Sequence, residues 1–212
     1  MRWLPKWGAG RRPEVPDSPV TSTSFLALDL ETTGLDPARD HVVAAGWVPV
    51  IAGEVVLAGA DHRLVRPPTT IGDSATIHGI TDESLATAPP FAEVLPDLLA
   101  ALSGRVLVCH HAPMEVGFLR AAVPDFTVPY VDTLALEQRL HTGRDLPPGA
   151  LRLDAVRRRY GLPSYAAHSA LTDALASAEL LLAQVAELEH RLRRSVGLHD
   201  LGAHATVPTI RT

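Results

Sequence analysis

Two features predict a layered α/β fold: three extended segments follow one another near the start, and helical and extended patterns then alternate to the end. The first strand, over residues 25–30, is the apolar run Phe25-Leu26-Ala27-Leu28 closed by Asp29 and Leu30. A second spans 41–50, with Trp47 as a packing residue inside it, and a third spans 54–65, Ala52-Gly53 forming the turn between them. Pro89-Pro90 leads into a helix over 91–102, Gly104 stops it, and an apolar strand follows at 105–109. A helix at 114–122, a short strand at Tyr130-Val131-Asp132, a helix near 133–141 and a Gly/Pro loop at 143–149 come next. Helices at 151–160 and 170–193 complete the plan, the last with Leu171, Leu175, Ala178, Leu182, Val185, Leu188 and Leu192 at helical spacing.

The chain holds 212 residues, 46% of them hydrophobic, with a mean hydropathy of +0.11, enough to bury one core, and no internal repeat is visible. We read 1–22 as a flexible Pro-, Gly- and Ser-rich tail, 23–194 as one catalytic-sized domain and 195–212 as an irregular tail. No run approaches the roughly 18 apolar residues of a membrane span, and the start lacks the apolar core of a signal peptide. With the single Cys109 read as a small buried hydrophobe, the expectation is a cytoplasmic protein without a membrane partner. The net charge of −5 argues against a broad basic clamp for long duplexes. Basic residues do gather at Arg152, Arg157-Arg158-Arg159 and Arg191 to Arg194, and the middle run reads as a solvated helix face.

The most informative residues close the first strand. In Asp29-Leu30-Glu31 the acids lie two apart, so a strand points both to one side, where they can converge on a cation. Carboxylate oxygens select Mg²⁺ or Mn²⁺, whose chemistry is usually with phosphates. A Thr32-Thr33-Gly34-Leu35 turn follows at once. Far downstream, His168-Ser169-Ala170-Leu171-Thr172-Asp173 places Asp173 in the first turn of the last helix, with His168 just before it. A third acidic segment, His110-His111-Ala112-Pro113-Met114-Glu115, again follows an apolar strand and opens a helix. Each acid alone could be a solvated strand end or a first-turn helix acid. Three such junctions together favour one convergent site.

In order and spacing these segments resemble the three motifs of the DnaQ-like (DEDDh-type) 3′-5′ exonucleases, similar to the exonuclease domains of DNA polymerase III epsilon subunits. His78-Gly79-Ile80-Thr81 is similar to the family's substrate-side loop, and Val131-Asp132-Thr133-Leu134 to the segment before its third motif. The match covers about Ser24 to Leu182. It implies a ribonuclease H-like fold, a mixed central sheet flanked by helices. It further implies two divalent cations, Mg²⁺ or Mn²⁺, held by Asp29, Glu31, Glu115 and Asp173, with Asp29 bridging both. His168 would take a proton from the attacking water, so the catalytic set is Asp29, Glu31, His168 and Asp173. Thr32, Thr33, Leu35 and His78 would receive the terminal nucleotide.

The implied activity is hydrolysis of phosphodiester bonds at a single-stranded or frayed 3′ end, releasing nucleoside 5′-monophosphates, with DNA favoured over RNA. The enzyme would stand alone or serve as a proofreading subunit of a DNA polymerase. The alternative is a non-catalytic member of the fold that binds nucleic acid or a partner. All five positions still carry an acid or His, which favours the enzyme. One departure stands out: Glu115 occupies a position where the family has Asp. Glu is about 1.5 Å longer, Mg²⁺ demands near-octahedral geometry, and the expectation is an altered metal preference toward Mn²⁺.

Overall fold

The structure is a computed structural model that describes residues 15–205, apart from 144 and 167. Its centre is a mixed seven-stranded sheet ordered β3-β2-β1-β5-β6-β7, with β4 also pairing β2. The strands are β1 (Phe25–Thr32), β2 (Val42–Ile51), β3 (Glu54–Val55), β4 (Asp61–Leu64), β5 (Val106–Cys109), β6 (Pro129–Asp132) and β7 (His204–Ala205). β1 runs antiparallel to β2 and parallel to β5, and β5 runs parallel to β6. The helices are α1 (Ala75–His78), α2 (Asp82–Leu85), α3 (Phe91–Leu102), α4 (Pro113–Ala122), α5 (Thr133–Leu140), α6 (Leu153–Arg159) and α7 (Ala170–Leu192).

The period-two alternation of β1 sorts its side chains into two cores. Leu26, Leu28 and Leu30 pack with Leu98, Leu102, Val116 and Leu119 from α3 and α4. Phe25 and Ala27 pack with Leu136, Ala178, Leu181 and Val185 from α5 and α7. Asp29 and Glu31 therefore continue the face that α7 covers. α7 crosses β2 and β1 closely because Gly46, which pairs with Asp29, has no side chain. A Cβ there would come within 2.2 Å of the Ala170 carbonyl carbon.

The expected third strand is broken. In an antiparallel ladder a residue's N–H and C=O point to the same neighbour, and Pro49 has only the carbonyl. That carbonyl accepts from Val56 N–H at 2.9 Å, no return bond can form, and the chain turns through Leu57–Gly59 before resuming as β4. The stretch between β4 and α3, where the sequence pattern predicts no helix, holds the one-turn helices α1 and α2. Gly79 ends α1 at φ 69°, and Thr81 and Ser84 form a capping box for α2.

The flexible-tail expectation is corrected from residue 15 onward. Val20 is buried and donates its N–H to the Val196 carbonyl at 3.0 Å, and Leu198 N–H donates to Ser18 O at 3.1 Å. The apolar residues Val196, Leu198 and Leu201 join the α7-side core, so this part of the C-terminal segment packs on the domain. Residues 1–14 and 206–212 lie outside the described residues.

Candidate active site

Three acids meet where β1 ends under the start of α7. One carboxylate oxygen from each of Asp29, Glu31 and Asp173 lies within 4.8 Å of the others. β1 supplies two of them by its alternation, and the Gly46 gap lets the first turn of α7 bring the third over them. All three carboxyls are held above their ordinary range, chiefly because burial disfavours the charged form. For Asp29 the neighbouring Glu115, Glu31 and Asp173 add repulsion, in that order. A divalent cation would relieve both costs, and three convergent oxygens are a hard-cation donor set.

His168 sits beside them on an exposed loop. Its backbone is left-handed at φ 66°, and its N–H donates to Asp173 Oδ2 at 2.8 Å. A non-glycine residue held at positive φ stores strain that the surroundings must compensate. His78 lies close enough for the charge of His168 to depress its pKa, after the larger effect of burial. Its Nδ1 accepts from Ile80 N–H at 3.1 Å, while its Nε2 is buried without a partner among the described residues.

The Thr-Thr-Gly turn is internally braced. Thr32 Oγ1 donates to Gly34 O at 2.7 Å, Thr33 Oγ1 donates to Asp40 Oδ1 at 3.2 Å, and Thr33 Oγ1 accepts from His41 N–H at 3.0 Å. Leu35 projects outward, 82% exposed. The two hydroxyls thus shape the turn, and Leu35 supplies its free apolar surface.

Glu115 is placed differently from the other acids. It is buried in the first turn of α4 and lies outside the group of three. The carboxyl lies within reach of its own backbone N–H and the Cys109 thiol, and Oε2 has no hydrogen-bond partner among the described residues. Burial, with repulsion from Asp132, pushes it up to about 8. Its charge nonetheless acts on Asp29 more strongly than that of any other acid. The turn before it is fixed by Asp132, whose Oδ1 accepts from His111, Leu134 and Ala135 N–H groups. Next to it, His110 Nε2 lies 2.8 Å from Leu151 O and Nδ1 lies 2.9 Å from Thr133 Oγ1. A carbonyl only accepts, so Nε2 carries a proton, and burial disfavours the charged ring and lowers its pKa.

A cavity of about 670 Å³ opens from the acids toward α6, lined among others by Arg152, Arg157, Tyr165, His168 and Asp173. Arg157 corrects the solvated-face expectation: it is buried, whereas Arg158 is exposed and pairs with Asp154 at 2.8 Å. The signal was in the spacing. With Leu153, Val156 and Tyr160, Arg157 falls on the inward face of α6.

Acids at the end of a central strand, capped by the start of a helix on a mixed sheet, define a ribonuclease H-like nuclease layout. Residues 26–181 match the RNase_T exonuclease family model, and the chain belongs to that exonuclease family. It is 36% identical over 172 residues to the PolC-type DNA polymerase III of Thermotoga petrophila, covering 78% of this chain but only 12% of that protein. It is 32% identical over 198 residues to the DNA polymerase III epsilon subunit of Treponema pallidum, covering 89% of this chain and 86% of that one. Among solved structures, Exonuclease X in complex with 5′-overhanging duplex DNA superposes with a TM-score of 0.62 at 26% identity, over 77% of this chain and 92% of that chain. Among the described residues no helix is long and apolar enough to cross a membrane.

Proposed function

We propose that this protein is a metal-dependent 3′-5′ exonuclease that removes nucleoside 5′-monophosphates from single-stranded or frayed DNA ends. The observation that carries this is the convergence of Asp29, Glu31 and Asp173 oxygens within 4.8 Å, in a chain of the exonuclease family. Asp29, Glu31 and Asp173 would hold the divalent cations, with Glu115 turning toward them from the buried side. Such cations stabilise charge on the attacking and leaving oxygens of a phosphoryl displacement. His168 acts on the attacking water as general base, within a site that the acids orient. Thr32, Thr33, Leu35 and His78 receive the terminal nucleotide: the braced turn offers main-chain groups and Leu35 offers an apolar face.

The Treponema relative is a polymerase III epsilon subunit, and we infer a DNA polymerase as the partner of this chain also. Both Mg²⁺ and Mn²⁺ should support the reaction, with Mn²⁺ the more forgiving of Glu115. The compartment we assign is the cytoplasm, where a free buried thiol such as Cys109 stays reduced. The test is digestion of 5′-labelled single-stranded DNA, mismatched duplex and RNA with Mg²⁺, Mn²⁺ or chelator. Stepwise 3′ shortening of DNA that chelator abolishes is expected. Binding of the end without shortening in either metal would make the protein a non-catalytic binder, and faster loss of RNA would overturn the substrate assignment.

A further inference from the structure

We propose that Arg157 is a positioning residue that holds the His168 loop against α7, a role that rests on the exonuclease activity proposed above. Its guanidinium is almost wholly buried and reaches three acceptors on two elements. Nη1 donates to Ala176 O at 2.6 Å, and Nη2 donates to Pro163 O at 2.9 Å and to Glu179 Oε2 at 2.7 Å. Ala176 and Glu179 belong to α7, less than two turns beyond Asp173, whereas Pro163 begins the loop that leads to His168.

The same loop is gripped a second time. Tyr165 lies under the guanidinium, with its ring centre 4.6 Å from the Arg157 Cζ, and its hydroxyl donates to Glu179 Oε1 at 2.9 Å. Glu179 thus spends one oxygen on the arginine and the other on the tyrosine. Three residues later His168 takes its left-handed conformation and bonds Asp173 through its N–H. The loop is pinned at Pro163 and Tyr165 on one side and at Asp173 on the other, and His168 stands between these anchors.

A planar fork with five donors can serve three divergent acceptors and stack on a ring at once, whereas an ammonium group cannot. The clamp also ties His168 to the very helix that carries Asp173, so the base and the acid move as one piece. Placement of a reacting group within small tolerances is worth large factors in rate, and a loop free to sample other conformations forfeits them.

The variant Arg157→Lys keeps the charge and loses the fork. In the full chain it should lower kcat on 3′-ended single-stranded DNA by about tenfold or more and leave KM within about twofold. Introduced into His168→Ala, it should cost less than about twofold more, because a residue that acts through another has nothing left to position. Mn²⁺ binding measured by titration should be unchanged, and the His168 amide should exchange faster while the β1 amides keep their protection. Should Arg157→Lys fail to fold, Tyr165→Phe loosens the same loop more gently, with about a threefold loss of kcat expected. Additive losses in the double variant, weakened Mn²⁺ binding, or a parental kcat with a protected His168 amide would each overturn the clamp. If the parent protein trims no DNA at all, the exonuclease reading fails by itself, and amide exchange still decides whether Arg157 pins the loop.

Discussion

Glu137 and the Asp29–Glu31–Asp173 group are both acids withdrawn from solvent, and the protein treats them in opposite ways. Glu137 is fully buried, yet every lone pair is answered: Arg159 donates to Oε1 through Nε at 3.1 Å and Nη2 at 3.0 Å. Tyr160 O–H and Gln184 Nε2 donate to Oε2, each at 2.9 Å. That network joins α5, α6 and α7 from within. The three site acids face one another instead, with partial relief from one side: Asp173 accepts from His168 N–H at 2.8 Å and is further eased by the His168 charge, the Ser169 backbone and the more distant Arg157, and the His168 charge eases Glu31 as well. A fold that can complete one buried carboxylate so thoroughly leaves three others repelling where a ligand cation can complete them. Unresolved electrostatic cost, more than burial as such, is what marks the candidate site.

The comparison predicts opposite outcomes for removing one acid from each set. Asp29→Asn should reduce exonuclease activity by about a thousandfold, while stability holds or rises by about 1 kcal/mol as repulsion is relieved. Glu137→Leu should destabilise by about 2–4 kcal/mol, because Tyr160 O–H loses its acceptor and Arg159 and Gln184 lose the carboxylate, keeping only the Ala150 and Thr133 carbonyls, with kcat unchanged in the fraction still folded. Urea melts alongside 3′ trimming would check both. Equal destabilisation by the two changes would dissolve the distinction.

Metal removal should expose the same contrast through pH. An acid whose folded pKa lies above its unfolded value binds more protons in the native state, so stability falls as pH rises between the two values. Asp29, Glu31 and Asp173 are all shifted up, and Glu115 moves from 4.5 to about 8. In chelator, the melting temperature should therefore decline from about pH 5 to pH 8. Added Mn²⁺ should flatten that slope, since the cation replaces the missing protons, and Asp29→Asn should also shallow it. A chelated protein whose melting temperature is level across that range would show that the acids do not repel.

Much of the site was legible because it depends on local periodicity. Two residues apart on a strand means one face, and an acid in the first turn of an apolar helix sits at its N-terminal end, so Asp29, Glu31 and Asp173 could be grouped before any coordinates. Asp29 and Glu31 share one face because β1 alternates its side chains, and Asp173 comes from the start of α7. What escaped was set by single contacts between distant elements. Nothing local says that Arg157 will find Pro163, Ala176 and Glu179, or that Gly46 is needed where α7 crosses. The break after β3 came from Pro49, a residue of the neighbouring strand, and the docking of Val15 to Val20 needed partners beyond residue 195. The side-chain direction of Glu115 was equally hidden, because one extra methylene allows several rotamers and packing against Cys109 selects among them.

Glu115 is intermediate between the two regions, buried like Glu137 and half unanswered like the site acids. If it turns to the cations when they bind, Glu115→Gln should lower the rate by about tenfold, or roughly 1.4 kcal/mol of barrier. Glu115→Asp, too short to curl back in the same way, should keep activity and raise the Mg²⁺ rate relative to the Mn²⁺ rate. Parental rates for a folded Glu115→Gln in both metals would assign Glu115 to the packing of α4 alone.

The smallest effect belongs to an acid that is answered but not buried. Asp200 accepts two bonds from Arg194 at 2.7 Å each and one from Gly197 N–H at 3.0 Å, which pull its pKa down to about 2. Here the sign reverses: the contribution is complete above the ordinary pKa near 4 and is lost as pH falls toward about 2. Solvent screens the pair, so Asp200→Asn should cost under about 1 kcal/mol at neutral pH, and the penalty should vanish in acid. Because the bonds hold the segment that covers Val20, amide exchange there should rise while β1 stays protected. A loss comparable to that of Glu137→Leu would mean that pairing at the surface matters as much as pairing in the core, and the contrast between satisfied and unsatisfied acids would need a different cause.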